Sequence, residues 1–378
     1  MKISKKNFWL FIIAPLGVVA ITLSVVLPLT FINATKKKLI KLNEDAPTSF
    51  EDGKERVVLH TDLQHAYLAG PIEDIHSYAE GVEELSRPKA VEFTWEGGTS
   101  PYNVYLSEKE DYSDSFTYNV TEQKVSFTNL KIDTTYYYKV MSGSDLVKED
   151  SFLTSNEVIR NMYVSGITNV RDLGGYKVDG GVTKQGLIYR TGRLNECSTE
   201  TVVNKINEKG INTMLNEMKV KSEIDLRVVE NNEVGALTEG VGVLGPTVHY
   251  YQCPMDYNYS FEGEFNAPSV RKVFQILGNP DNYPTFFHCS IGTDRTGYIA
   301  WVINAVLGVS EGYLWRDYLF SNFGNIGSKR SISTIENKYV KTINNTPGNS
   351  LKEKAEKYLL DRGVKQSEID TLRSMMLA

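Results

Sequence analysis

The segment His288-Cys289-Ser290-Ile291-Gly292-Thr293-Asp294-Arg295-Thr296-Gly297 constrains this 378-residue chain more than any other. Five residues separate Cys289 from Arg295, and Thr-Gly closes the run. A stretch of that length can curl into a cradle whose backbone N–H groups converge on an anion, while the planar guanidinium of Arg295 offers a bidentate fork. The same cradle holds charge on sulfur. Amide dipoles, a helix N-terminus and a nearby cation pull a thiol below its ordinary pKa of about 8.5. Cys289 is therefore expected to be a nucleophile toward a phosphate ester, with Arg295 and the loop amides as its charge-stabilising partners.

The flanks fit such a loop. Asn282 to His288 reads as a turn and a short buried strand, and Arg295 to Leu307 as an apolar helix closed by Gly308. Strand, loop and helix stand in the order an anion site needs, with the helix dipole aimed at the ligand. A lone Cys-x5-Arg would be better explained by a buried structural cysteine beside a surface arginine. His288, Gly292, Thr296 and Gly297 around it, in strand and helix context, favour the site. Ser290, Ile291, Gly292, Thr293, Thr296 and Gly297 are accordingly the expected substrate-binding positions.

The loop resembles that of the bacterial broad-specificity tyrosine phosphatases, which reads His-Cys-x-x-Gly-Lys-Asp-Arg-Thr-Gly. The resemblance extends to Asn169-Val-Arg-Asp-Leu-Gly-Gly175, to Leu187-Ile-Tyr-Arg-Thr-Gly-Arg-Leu194 and to Ile224-Asp-Leu-Arg227 with Glu230. Asp317-Tyr-Leu-Phe-Ser-Asn322 and Tyr358-Leu-Leu-Asp-Arg-Gly363 complete it, so it runs from Asn161 to the C-terminus with the motifs in order. Thr293 stands where that family has lysine.

This resemblance implies an α/β tyrosine-phosphatase-like domain working without metal or organic cofactor. It also implies that Asp294, inside the loop, protonates the leaving group. A carboxyl beside a phosphate dianion is pushed toward the protonated form such a role needs. Asp256, upstream in Cys253-Pro-Met-Asp-Tyr257, is the competing acid. The family further suggests that Asp225 orients the active loop, although a strand-end carboxylate capping a turn explains it equally well. Arg171 and Asp172 are expected as a buried ion pair fixing the Gly174-Gly175 turn. Thr296 would bond the departing thiolate, and His288 would lie behind the sulfur. With lysine absent at Thr293, phosphotyrosine peptides are expected to be preferred over phosphoinositides, unless Arg193 or Lys329 supplies the missing charge. Tyr250, Tyr251, Tyr257 and Tyr259 either line a pocket for an aromatic ring or simply pack.

A net charge of −6 leaves no basic surface for nucleic acid. Cys197, Cys253 and Cys289 are odd in number and lack paired or metal-type spacing. Phe8 to Ile32 carries no charge and is long enough to cross a bilayer of roughly 30 Å as a helix. It reads as an uncleaved anchor at the cell membrane. Lysines flank it on both sides, so charge does not orient it; the short tail and the resemblance to secreted enzymes place the catalytic part outside.

Between anchor and enzyme lie short alternating segments: Lys89–Trp95, Tyr102–Leu106, Phe116–Val120, Lys124–Phe127 and Thr135–Val140. They predict an all-β sandwich. Leu130-Lys-Ile-Asp-Thr-Thr-Tyr136 resembles the Leu-x-Pro-x-Thr-x-Tyr corner of fibronectin type III domains, with Ile132 for proline, and Trp95 matches their core tryptophan. Such a module either binds a ligand or acts as a rigid spacer. The expected layout is an anchor over 1–35, a linker and possible first strand over 36–85, the sandwich over 86–155 and the catalytic domain over 156–378. The expected activity is that of a protein tyrosine phosphatase working through a phosphocysteine. A phosphoinositide or dual-specificity phosphatase is the alternative, and a surface phospho-ligand-binding or adhesion protein without turnover is the alternative of another class.

Overall fold

A computed structural model describes residues 55–196, 205–229, 233–235 and 237–377. The Phe8–Ile32 run, Cys197 and Glu230 lie outside the described residues. Among those described, no helix is long and apolar enough to cross a membrane.

Six strands make the β-domain: β1 (Val91–Thr94), β2 (Tyr102–Ser107), β3 (Phe116–Val120), β4 (Lys124–Phe127), β5 (Thr135–Ser142) and β6 (Asp145–Leu153). They form two antiparallel sheets, β1-β4 and β3-β2-β5-β6. On β2, Tyr102, Val104 and Leu106 are buried at every second position, as a strand with one covered face requires. Trp95 is buried against Tyr102, with ring centroids 5.3 Å apart. Strand β6 carries no sequence expectation, because Asp145 to Leu153 lacks alternation. It lies at the rim of its sheet, where Leu146 and much of the strand stay exposed.

The second part of the chain builds a six-stranded sheet from β7 (Arg171–Asp172), β10 (Ile188–Thr191), β11 (Ser222–Asp225), β12 (Gly240–Val241), β13 (His249–Gln252) and β14 (Thr285–His288). A small hairpin of β8 (Lys177–Val178) and β9 (Gly181–Val182) lies outside it. The sheet order is β12-β13-β11-β14-β10-β7, with the four central strands parallel and both edges antiparallel. Strand β14 is fully buried, as central parallel strands are. Every residue of the following helix Asp294–Leu307 is buried as well, matching a sequence that is largely apolar beyond its first turn.

The expected linker is corrected in its second half. Helix Asp62–Ala69 starts at a capping box formed by Thr61 and Gln64, and Tyr67, Leu68, Ile72 and Ile75 are buried. Tyr67 packs on Phe320 and Phe323, and Arg316 donates to the carbonyls of Tyr67 and Gly70 at 3.1 and 2.7 Å. Gly70 and Pro71 thus mark a turn inside a packed segment. Eight helical residues carry too little periodicity to be read against such punctuation.

Candidate active site

The Cys289 loop leaves the carboxyl end of β14, where parallel α/β sheets place their ligands. Neighbouring strands end level with it, His288 pairing in register with Thr191 of β10 and Asp225 of β11. Gly292 sits at φ 69°, and a Cβ there would lie 2.4 Å from the Thr191 carbonyl oxygen, so no side chain fits.

The loop carbonyls are fully committed. Ser290 O accepts from the Arg193 amide and guanidinium, each at 3.1 Å. Ile291 O and Gly292 O accept from Asn169 Nδ2 at 3.2 and 2.9 Å, and Gly292 O also from Arg190 at 2.6 Å. With its C=O groups turned out, the loop presents its N–H groups inward. None of the amides from Ser290 to Asp294 donates to a backbone carbonyl of the described residues.

Electrostatics separates the two described cysteines. Burial pushes the Cys253 thiol up to about 12. At Cys289 burial acts in the same direction, yet the Arg295 guanidinium and the hydroxyl and amide of Thr296 outweigh it and hold the thiol below its ordinary value. Arg295 is itself braced. Its Nη1–Nη2 edge meets the Glu233 carboxylate at 2.7 and 3.3 Å, and Nη1 reaches the carbonyls of Leu226 and Met255. Among the described residues, buried Nε has no hydrogen-bond partner, so the Nε–Nη2 edge is the one turned to an anion.

Asp294 is buried beside the loop and accepts from the hydroxyls of Tyr257 (2.5 Å) and Tyr318 (3.0 Å) and from Arg330 (2.9 and 3.0 Å). Burial raises its pKa, but Arg330 and the two hydroxyls prevail and keep it below the usual carboxylate range. In the free protein this carboxyl is therefore held ionised. Asp256 engages its own turn through the Asn258 amide at 2.8 Å and the Asn258 side chain at 2.9 Å.

One expectation is corrected. Arg171 and Asp172 do not pair with each other, because neighbours on a strand point to opposite faces. Asp172 binds Arg160 and the Gly174 amide (2.8 Å), whereas Arg171 binds Asp317 (3.0 Å), which also holds Arg190 beneath the loop. The buried Thr293 side chain meets Asn169 and the Ile291 carbonyl. At Gly297 a Cβ would lie 2.8 Å from the Tyr318 ring.

Asp225 lies behind the loop. Its carboxylate bonds the Arg227 backbone and side chain and the Tyr250 hydroxyl at 2.8 Å, with His288 Nδ1 at 3.8 Å. Burial opposes its ionisation, but His288 and Arg227 bring its pKa to about 2. His288 in turn bonds Glu223 at 3.0 Å, and Arg227 donates to the carbonyl of Glu233, the residue that braces Arg295, at 2.7 Å, so Asp225 connects to the loop through both His288 and Arg227. Of the four tyrosines, Tyr257 alone reaches the loop, its ring 4.9 Å from the Arg295 guanidinium. Tyr250 sits on Asp225, Tyr251 on Asn282, and Tyr259 stacks on Phe265. Arg193 braces Ser290, and Lys329 meets Glu80.

Asn169, Arg190, Glu233 and Arg330 all meet the loop or its flanking side chains without having been singled out individually from the sequence. Asn169 and Arg190 do lie inside quoted motifs, whereas Glu233 and Arg330 belong to none. Among the described residues no group of three or more His, Cys, Asp and Glu is placed to hold a metal ion.

Residues 162–378 match the tyrosine phosphatase family. No curated protein matches the chain. Among solved structures, the core catalytic domain of the PP-IP phosphatase SIW14 from S. cerevisiae, in complex with citrate, is similar at 20% identity. The match covers 43% of this chain and 88% of that one, with a TM-score of 0.28. P. aeruginosa TpbA in complex with pTyr is similar at 17% identity, covering 50% and 86%, with a TM-score of 0.25.

Proposed function

The chain belongs to the tyrosine phosphatase family, and from that premise we propose that it removes phosphate from phosphotyrosine in proteins or peptides. It is a cysteine-based phosphoric monoester hydrolase. The observation that carries the reading is the loop itself, with its carbonyls turned outward and a thiol held below its ordinary pKa facing the converging amides.

In the proposed first displacement, Cys289 sulfur bonds phosphorus, the phosphorus–oxygen ester bond breaks, and Asp294 donates its proton to the departing oxygen. The loop amides and the Nε–Nη2 edge of Arg295 hold the equatorial oxygens. An arriving dianion raises the Asp294 pKa from its resting position, which allows the carboxyl to load its proton. In the second displacement, water attacks the phosphocysteine while Asp294 accepts a water proton, and the Thr296 hydroxyl steadies the leaving thiolate. Asp225 acts through His288 and through Arg227. Tyr257, with its ring over Arg295, supports an aryl substrate over an alkyl one.

The β-domain is read as fibronectin type III-like. Its two-strand and four-strand sheets, buried Trp95 and the bond from the Lys131 amide to the Tyr136 hydroxyl (2.9 Å) support this. The uncharged Phe8–Ile32 run supports a single-pass protein at the cell membrane with its catalytic part outside. Protease added to intact cells should then digest the catalytic domain; protection until the membrane is breached reverses the orientation.

Phosphate release by the full chain from a phosphotyrosine peptide, a phosphoserine peptide and a soluble phosphoinositide tests the substrate class. The expected order places phosphotyrosine first, and a phosphoinositide optimum would replace this reading with the lipid one.

A further inference from the structure

The family match begins at residue 162, yet part of the loop's support comes from a segment far upstream. Leu85 donates to the Phe323 carbonyl at 2.6 Å, and Gly81 exchanges backbone hydrogen bonds with the 322–326 segment, donating to Asn322 O and accepting from Ile326 N. Gly81 is confined there. At φ 75°, its Cβ would stand 2.8 Å from both Ile326 and the Ser328 carbonyl.

Glu84 ties this strap to the site. One carboxylate oxygen accepts from the Ser86 amide (3.2 Å) and hydroxyl, and the other from the Thr168 hydroxyl and the Asn325 amide (3.2 Å). Ser86 Oγ then accepts from the Asn169 amide at 3.1 Å. Asn169 is the residue whose side-chain amide holds the Ile291 and Gly292 carbonyls outward, and it sits at φ 62°, a conformation that costs a non-glycine residue energy unless its surroundings fix it. The segment that Glu84 and Gly81 grip leads directly to Arg330, the partner of Asp294, whose backbone is held by Asn322 at 2.8 and 3.0 Å.

We propose that Glu84 is a positioning residue for the phosphatase reaction, joining Thr168, Ser86 and Asn325 so that Asn169 keeps the loop amides turned inward and Arg330 stays on Asp294. The proposal rests on the reading of the Cys289 loop as the phosphatase site. It extends the catalytic unit upstream to about residue 81. Four donors converge on one carboxylate, and alanine leaves all four without their acceptor.

The test uses the full chain in detergent and reads two quantities: kcat and KM for an aryl phosphate, and the pH profile of Cys289 alkylation by iodoacetate measured without substrate. Glu84→Ala should lower kcat/KM on the order of 10-fold or more, mainly in kcat, because loop amides that drift cease to match the transition state. The same variant should move the alkylation midpoint to higher pH. Ser86→Ala should move both in the same direction by less, Glu84→Gln should recover part of each, and exposed Glu83→Gln should change neither. An unchanged alkylation midpoint in Glu84→Ala and Ser86→Ala, or a rate loss equal to the unfolded fraction in a thermal melt, overturns the proposal. If Glu84→Ala fails to fold, Ser86→Ala, which removes a single hydroxyl, decides it. A wild type that is alkylated with a low midpoint yet turns over no phosphate ester would refute the phosphatase reading, while the variant midpoints still judge the strap.

Discussion

Two tight turns in this molecule treat their backbone in opposite ways. At the corner of the β-domain, Ile132 gives its N–H to Gln185 Oε1 and takes the Gln185 amide on its carbonyl, each at 2.9 Å, so both polar groups are spent. In the Cys289 loop only the carbonyls are spent, on Asn169, Arg190 and Arg193, while the amides stay turned inward. Complete pairing makes a joint. One-sided pairing makes a place for an anion, since the withheld donors cost free energy until a ligand accepts from them.

The strongest way to break this contrast is Cys289→Ser. Turnover should fall on the order of 10³-fold or more, because serine does not ionise in the cradle, while retained phosphate binding would show that the amides still act. Phosphate release and phosphate-dependent thermal stabilisation measure the two parts, and activity above a per cent or so of wild type removes the phosphocysteine.

Asp294→Asn should slow phosphotyrosine hydrolysis by about 10²–10⁴-fold and leave an aryl phosphate with an acidic phenol much less affected. Equal losses on both substrates, or the differential appearing instead in Asp256→Asn, would move the acid elsewhere.

Thr293→Lys sharpens the comparison from the loop's underside. The side chain is buried against Asn169, so a lysine overpacks the support and should cost about 1–3 kcal/mol of stability. Peptide and phosphoinositide activities should fall together, and a selective gain on the phosphoinositide would show that the position faces the ligand after all.

Arg330→Gln should act on pH dependence. The group that must be protonated for the first displacement is held ionised by Arg330, so its proton is lost at low pH in the wild type. Removing the cation raises that pKa, and the descending limb of kcat for phosphotyrosine should move to higher pH. A limb that stays in place separates Asp294 from the acid role.

The smallest effect on turnover belongs to the joint. Ile132→Pro removes the N–H that Gln185 accepts and should lower stability by about 1–3 kcal/mol with kcat/KM nearly unchanged. A large loss of kcat/KM in a folded variant would mean that the β-domain tunes the site.

Ile132 also shows where reading the chain by itself stopped. As a departure from the Leu-x-Pro-x-Thr-x-Tyr corner it had no meaning until Gln185 appeared opposite it, because proline could not donate to that side chain. Gly175 explains the rest, for the Ile132 side chain occupies the space where a Cβ would stand. Most of the β-domain strands were legible because their alternation is local, and β6 was not, because a largely exposed rim strand needs no alternation.

The sequence alone determined the Cys289–Arg295 spacing and the strand-loop-helix that carries it, since five intervening residues, a loop glycine and a largely apolar helix are properties of neighbouring positions. Tertiary structure decided what surrounds them. Glu233 on Arg295, Arg330 and two tyrosines on Asp294, and Arg171 with Arg190 on Asp317 come from segments tens to hundreds of residues apart. Charges buried at such separations must find partners, but no spacing rule says which, because the pairing is fixed only when the sheet brings the strand ends together.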